Sequence, residues 1–229
     1  MSFFEGLAKR FVSERRMERM RAVLAERTLW AVPVFENVCK AHNASAVVRS
    51  CDAFGVAEAH FIESVNACGL HPEISMGAHN WVRRRNWRSA AQCFHALRTD
   101  GYVIVGTSLR EDAIGPGALP LDRPLAFVFG NERDGLSPET ESACDLLLRV
   151  PMRGFVESLN VSVAAALIIY THLERVRALG DDRWRLPERE KKRILRRWIF
   201  FCTRVGAIAR RMRVQKRIQA GLAEGKDED

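Results

Sequence analysis

The sequence predicts an α/β protein: a mainly parallel sheet with helices on both faces, carrying a basic helical extension at each end. Three observations lead there. Short apolar runs, Tyr102-Val-Ile-Val-Gly-Thr107 the clearest, alternate with stretches of helical periodicity. Three strand-like runs open onto loops of glycine and polar residues: Thr107-Ser-Leu-Arg-Glu111, Gly130 to Gly135 and Met152 to Ser158. Loops at the carboxyl ends of strands are where such sheets hold ligands. Charge is also divided along the chain. Residues 1–30 hold seven basic and four acidic side chains, residues 31–173 twelve and fifteen, and residues 174–229 seventeen and nine. Positive ends around a slightly acidic middle suit arms that grip a polyanion. The divisions fall at 1–29, 30–180 and 181–229.

Taken in order, residues 3–27 form an amphipathic helix with Leu7, Phe11, Met17, Met20, Val23 and Leu24 on one broad face. Leu29 to Val38 is the first strand, and Pro33 argues for an edge position or an irregularity. Asn43 and Ser45 are cap residues for a helix from Ala46 to Phe54 that Gly55 ends. Arg49 then projects from near that helix's start, against the dipole, a placement that suggests a binding task. Ala57 to Ile62 is the second strand, Asn66 to Asn80 a loop with a short helix, and Trp81-Val-Arg-Arg-Arg85 a brief strand. A helix over Ser89–Arg98, the strand ending at Thr107 and the strand Pro124–Phe129 follow. Pro138 begins another helix, and Leu146–Val150 is the last strand, closed by Pro151. Asn160 or Ser158 caps the helix running to Leu179. The last forty residues are helical and basic, with Ile194, Leu195, Trp198, Ile199, Val205 and Ile208 as their apolar face.

Several chemistries are excluded. No apolar run approaches the roughly 20 residues of a membrane span, and Met1-Ser-Phe-Phe-Glu-Gly6 lacks the basic-then-apolar order of a secretory signal. The six cysteines are scattered without a C-x-x-C pair, as free thiols of a reducing, cytoplasmic compartment are. Cys39-x-x-His42 has no second half, so no metal is expected. No G-x-G-x-x-G follows a strand, and Leu136-Ser137 stands where a P-loop needs lysine. No serine occupies a G-x-S-x-G elbow.

Three segments remain: Asn43-x-Ser-Ala-x-x-Arg49, Phe129-Gly-Asn-Glu132-x-x-Gly135, and Val150-Pro-Met-x-Gly154-x-x-x-Ser158-Leu-Asn160-Val-Ser-Val-Ala164. In order and spacing they resemble the three motifs of the SpoU (TrmH-type) RNA ribose 2′-O-methyltransferases, across about residues 30–175. The resemblance implies a deep trefoil knot in the C-terminal part of the α/β domain, a homodimer, and S-adenosyl-L-methionine held bent among the knotted loops. It implies a donor pocket lined by Thr107, Gly130, Val150, Met152 and Leu159, with Asn43, Arg49, Glu132, Ser158 and Asn160 as the functional polar set. Gly130 and Gly154 would stand where a side chain meets the cofactor or a crossing chain. Arg49 is the group often assigned to activate the ribose hydroxyl. A guanidinium stays protonated, which favours phosphate binding and stabilisation of the developing alkoxide over a role as base. Glu132 would orient Arg49 or its loop, and Asn160 would fasten the knot while capping its helix.

Glu36-Asn-Val-x-Lys-x-His-Asn43, Arg49-Ser-Cys-Asp-Ala-Phe-Gly-Val56 and Leu109-Arg-Glu-Asp-Ala113 are similar to the branch that methylates a guanosine ribose in the tRNA D-loop, as are the helical extensions. Ala41, Phe155 and Glu157 depart from that branch, which has proline, methionine and glutamine at these places. The expectation is therefore a cytoplasmic, dimeric tRNA 2′-O-methyltransferase using S-adenosyl-L-methionine, without metal or membrane. A relative that modifies ribosomal RNA or another tRNA ribose is the alternative, and a non-catalytic RNA-binding factor on the same fold stands behind it.

Overall fold

The computed structural model describes residues 11–38, 40–64, 68–180 and 182–203. Its strands are β1 (Ala31–Glu36), β2 (Glu58–Ile62), β3 (Arg83–Trp87), β4 (Val103–Thr107), β5 (Leu125–Phe129) and β6 (Leu146–Leu148). Its helices are α1 (Glu14–Ala25), α2 (Ala41–Phe54), α3 (Pro72–Ser75), α4 (Ala90–Thr99), α5 (Pro138–Ser142), α6 (Val161–Arg177) and α7 (Glu188–Cys202). They form two compact units, one of residues 28–185 and one from the segments before and after it.

In the larger unit the six strands form one sheet in the order β3-β2-β1-β5-β4-β6, with every pair parallel. Alternate side chains go to opposite faces, so β1 sends Ala31 and Phe35 to one core and Val32 and Val34 to the other. The first core is closed by Val47, Val48 and Cys51 of α2 and by Ile168, Ile169 and Leu173 of α6. The second is closed by Cys93, Phe94 and Leu97 of α4. Both faces are covered, which is why the inner strands read as continuous apolar runs instead of alternating ones.

Two expectations are corrected. β1 is a central strand, not an edge strand, despite Pro33. Its pairing with β5 spans Ala31–Phe35, whereas its pairing with β2 starts only at Val34, so no β2 ladder partner faces Pro33. Helix α2 starts at Ala41, five residues before the expected Ala46, and Lys40 at its N-cap makes no side-chain bond. Asn43 and Ser45 lie inside its first turns because both side chains are engaged elsewhere. The Ser45 hydroxyl donates to the Ala41 carbonyl at 2.7 Å and accepts from the His71 N–H at 2.8 Å. Gly55 does end the helix, in the left-handed region at φ 85°.

The basic tripeptide on β3 is occupied inside the sheet. Glu58 is register partner to Arg83, and both Arg83 and Arg85 reach its buried carboxylate, at 3.2 and 3.3 Å. Arg84 points to the opposite face, pairing with Glu63 and stacking over Phe61. The His60 imidazole accepts from the Trp87 indole N–H at 3.0 Å and donates its Nε2–H to Glu58 at 3.1 Å. Burial pushes the Glu58 carboxyl up, but the His60 hydrogen bond and the nearby cations outweigh it and hold the group at about 2.

In the smaller unit, Ser13 caps α1 by accepting from the Arg16 N–H, and α1 turns Met20 and Leu24 inward. Helix α7 buries Ile194, Trp198 and Ile199, as expected, and the Arg27 guanidinium lies 5.5 Å from the Trp198 ring centroid. Arg189, Lys192 and Arg196 are exposed along α7. The first ten residues, and Val205 and Ile208 of the expected apolar face, lie outside the described residues.

Candidate active site

The chain leaves β1, β4, β5 and β6 at the same, carboxyl edge of the sheet, and the loops that follow enclose a cavity of about 650 Å³. Three residues far apart in sequence join there in a hydrogen-bonded row. The Asn43 amide donates to Glu132 Oε1 at 2.7 Å, and Asn43 Oδ1 accepts from the Asn160 amide at 3.2 Å. Asn160 Oδ1 in turn accepts from the Ser162 N–H at 2.8 Å, which caps α6. Asn43 is only 2% exposed, so its amide is spent on positioning the other two groups. Glu132 Oε2 is buried and has no hydrogen-bond partner among the described residues. An acceptor left open in this way favours a donor or a cation nearby.

The loop after β5 folds tightly onto itself. Asn131 and Gly135 exchange backbone hydrogen bonds, both 2.9 Å, and Gly135 holds φ 74°. A Cβ on Gly130 would lie 2.1 Å from the Gly135 carbonyl, so Gly130 is required by its own loop. Gly154, expected to stand where a side chain would meet the cofactor or a crossing chain, has no protein atom within 4 Å of where a Cβ would stand among the described residues. Beneath the loop, buried Glu36 at the end of β1 accepts from the Ser137 N–H and hydroxyl, at 2.9 and 2.7 Å, and from the Thr140 hydroxyl at 2.5 Å. This carboxylate therefore fixes the start of α5 to β1.

On the other wall the Thr107 hydroxyl donates to the Val128 carbonyl at 3.0 Å, tying the ends of β4 and β5 together. Leu148, Val150, Met152, Leu159 and Ile168 give the cavity an apolar side, and Lys40, Glu132, Arg133, Asp134, Glu141 and Glu157 bring charges of both signs. Such a mixture suits a ligand with a flat apolar part and a part that carries charges of both signs.

Of the residues singled out from the sequence, Asn43, Glu132, Ser158, Asn160, Thr107, Gly130, Val150, Met152 and Leu159 all line this cavity. Arg49 does not. Six residues past Asn43 on α2, it is displaced by about 9 Å along the helix axis and about 120° around it, and its side chain is exposed. Its neighbours Ala46 and Ser50 belong to a separate, shallow apolar patch with Phe54 and with Val163, Ala166, Leu167 and Tyr170 of α6. Val163, Leu167 and Tyr170 are roughly half exposed there, a contiguous apolar surface of the kind that marks an interaction site.

The sequence reading missed a second polar pair lining the cavity, in which the Ser108 hydroxyl donates to Glu141 at 2.6 Å. Its one signal was the place of Ser108 next to Thr107 at a strand end.

The model of the SpoU rRNA Methylase family matches residues 31–170. The chain is 34% identical over 189 residues to the tRNA (guanosine(18)-2′-O)-methyltransferase of Borreliella burgdorferi, covering 82% of this chain and 86% of that one. It is 37% identical over 188 residues to the enzyme of the same name from Thermus thermophilus, covering 82% and 97%. The crystal structure of the A. aeolicus TrmH/SpoU tRNA modifying enzyme superposes with a TM-score of 0.73 at 34% identity, over 82% of this chain and 96% of that one.

Proposed function

The chain belongs to the SpoU rRNA methylase family, and from that premise we propose that it transfers a methyl group from S-adenosyl-L-methionine to the ribose 2′-hydroxyl of guanosine 18 in the D-loop of tRNA. The observation that carries this reading is the Asn43–Glu132–Asn160 row, which draws three distant loops onto one cavity. The similar proteins of Borreliella burgdorferi and Thermus thermophilus, named for that reaction, supply the nucleotide.

The residues present fit the donor. The apolar wall of Leu148, Val150, Met152 and Leu159 would receive its adenine, and the Glu132 carboxylate, whose Oε2 has no hydrogen-bond partner among the described residues, favours its positive sulfur. Bound there, S-adenosyl-L-methionine supplies an electrophilic methyl group. The chain's own contribution is placement: rigid loops hold the ribose oxygen in line, and such orientation supplies much of the rate. Asn43 holds the Glu132 carboxylate and Asn160 holds Asn43, so each supports the next. Arg49 binds the RNA phosphate and stabilises charge building on the 2′-oxygen.

Arg49 reaches the reaction through a homodimer. The first turns of α6 carry both the cavity lip, with Asn160, Val161 and Ala164, and the apolar patch, with Val163, Ala166 and Leu167. A second copy seated on that patch brings the partner's Arg49 beside the lip. Leu167→Glu places a charge on the patch and is expected to give monomers in sedimentation together with loss of methyl transfer; a fully active dimer would count against this role.

The finer features follow the same reading. The C-terminal part of the α/β domain, including the loops that carry Glu132 and Asn160, forms a trefoil knot, a reading that the hydrogen bonds bracketing β6 support: Ser108 donates to Leu148, Ile114 to Leu147, and Arg149 to Ile114. The basic extensions hold the tRNA backbone, and the protein works in the cytoplasm, where its substrate is. The decisive test is incubation with labelled donor and tRNA lacking the modification, with the product nucleoside located by mass spectrometry. Label at guanosine 18 is the expected result. Label only in ribosomal RNA would overturn the tRNA assignment, and label in no RNA would overturn the enzyme.

A further inference from the structure

The loop from Met152 to Leu159 has two different sides. Met152, Glu157, Ser158 and Leu159 line the cavity, while Phe155 and Val156 project from it, and Phe155 is wholly exposed. A phenylalanine on a short loop at a cavity mouth keeps a large apolar surface in water unless something covers it. Two residues away stands Glu157, an exposed carboxylate on the cavity wall that makes no hydrogen bond or ion pair with any described residue. Of the other carboxylates lining the cavity, Glu132 is engaged by Asn43 and Glu141 by Ser108, and Asp134 stands on the separate loop after β5.

We infer that Phe155 and Glu157 together read the base of the target nucleotide, Phe155 as the platform on which guanine stacks and Glu157 as the acceptor for its paired donors. The inference rests on the proposed ribose methylation and deepens it. A base joined to a ribose held in the cavity must emerge at its mouth. Single-stranded bases are held there by aromatic stacking and by hydrogen bonds to their Watson–Crick edge. The occupant's chemistry follows from the carboxylate. Ionised, it only accepts, and its two oxygens match the N1–H and N2–H donors of guanine. Adenine presents an acceptor at N1 and is refused, and the pyrimidines are too short to reach from the same ribose. Inosine, lacking the 2-amino group, offers one donor where guanosine offers two.

The experiment uses the full-length chain and two tRNA transcripts, one with guanosine and one with inosine at the target position, under single turnover with labelled donor. Calorimetry of S-adenosyl-L-methionine and sedimentation accompany each variant. Wild type is expected to favour guanosine over inosine by about tenfold, the worth of one hydrogen bond to a charged acceptor. Glu157→Ala should bring that ratio close to one, and Glu73→Gln, at an exposed carboxylate that does not line the cavity, should leave it intact. Phe155→Ala should lower kcat/KM on both transcripts by about tenfold or more, with donor affinity unchanged, and Phe155→Trp should restore it. If Phe155→Ala and Glu157→Ala are both active and discriminate as wild type does, the inference is overturned. It is equally overturned if Phe155→Ala alters only the sedimentation, because the ring would then be covered by a second copy of the chain. A wild-type chain inert on both transcripts fails in a different way, overturning the proposed function and this inference with it.

Discussion

Arg49→Ala is expected to lower methyl transfer by about 10²–10³-fold, the usual loss when one donor to a developing oxyanion is removed, while leaving affinity for S-adenosyl-L-methionine essentially unchanged. The second half follows from position, since Arg49 lines no part of its own cavity. The same position makes a stronger prediction. If Arg49 serves the cavity of a second copy, chains that carry Arg49→Ala and chains that carry Asn43→Ala are each inactive alone. Mixed and allowed to exchange subunits, they form heterodimers in which one cavity keeps its Asn43 and faces an intact arginine. Random pairing then restores about a quarter of the wild-type sites. A mixture as inactive as its parents would place Arg49 in its own chain's site or outside catalysis. Collapse of donor affinity in Arg49→Ala, with turnover preserved at saturating donor, would reverse the assignment altogether.

What made the site legible in the sequence was residue type at loop positions. Asn43 and Asn160 drew notice as cap residues, and these two together with Glu132 as polar members of the three motif-like segments. They prove to be one another's hydrogen-bond partners. The same long-range bonds explain where local reasoning failed. Asn43 and Ser45 have ideal cap chemistry, yet α2 begins before them, because a cap is needed only where no better partner waits. Arg49 was placed near the helix start for that reason, whereas in the longer helix it lies more than two turns in, between Ala46 and Ser50 of the patch that holds Phe54 and Tyr170. Pro33 misled because the ladder to β2 begins one residue later, a register no single strand reveals. Arg83, Arg84 and Arg85 were rightly placed on a brief strand, but nothing in that run shows that Glu58 of β2 and Glu63 just past its end hold them. In each case the deciding partner lies far away in sequence, where spacing and propensity carry no information.

Acid is expected to weaken the fold before the carboxylates do, and His172→Phe to remove that early loss. His172 lies on α6, completely buried, with its ring edge against Phe127 of β5 at a centroid distance of 5.4 Å. Neither ring nitrogen has a hydrogen-bond partner among the described residues. Burial, and then the nearby Arg175 cation, push its pKa from 6.5 down to about 4. The sign follows from proton binding. Between pH 6.5 and 4 the unfolded chain holds a proton on this ring and the folded chain does not, so the stability present above pH 6.5 drains away as the pH falls through that window. Over the full interval the loss is about 3 kcal/mol, a large part of an ordinary domain's margin. Glu58, held at about 2, contributes stability above pH 4.5 that is lost only as the pH falls from there towards 2. The two windows barely overlap, so between pH 6.5 and 4.5 the slope belongs to His172 and not to Glu58. Phenylalanine keeps the aromatic contact with Phe127 and removes two unpaired polar atoms from the core, so the variant should match or exceed wild type at pH 7. Urea midpoints at half-unit steps from pH 7 to 4.5 decide the matter: wild type should decline steadily and His172→Phe stay nearly flat. Parallel declines would show that another group takes up the proton.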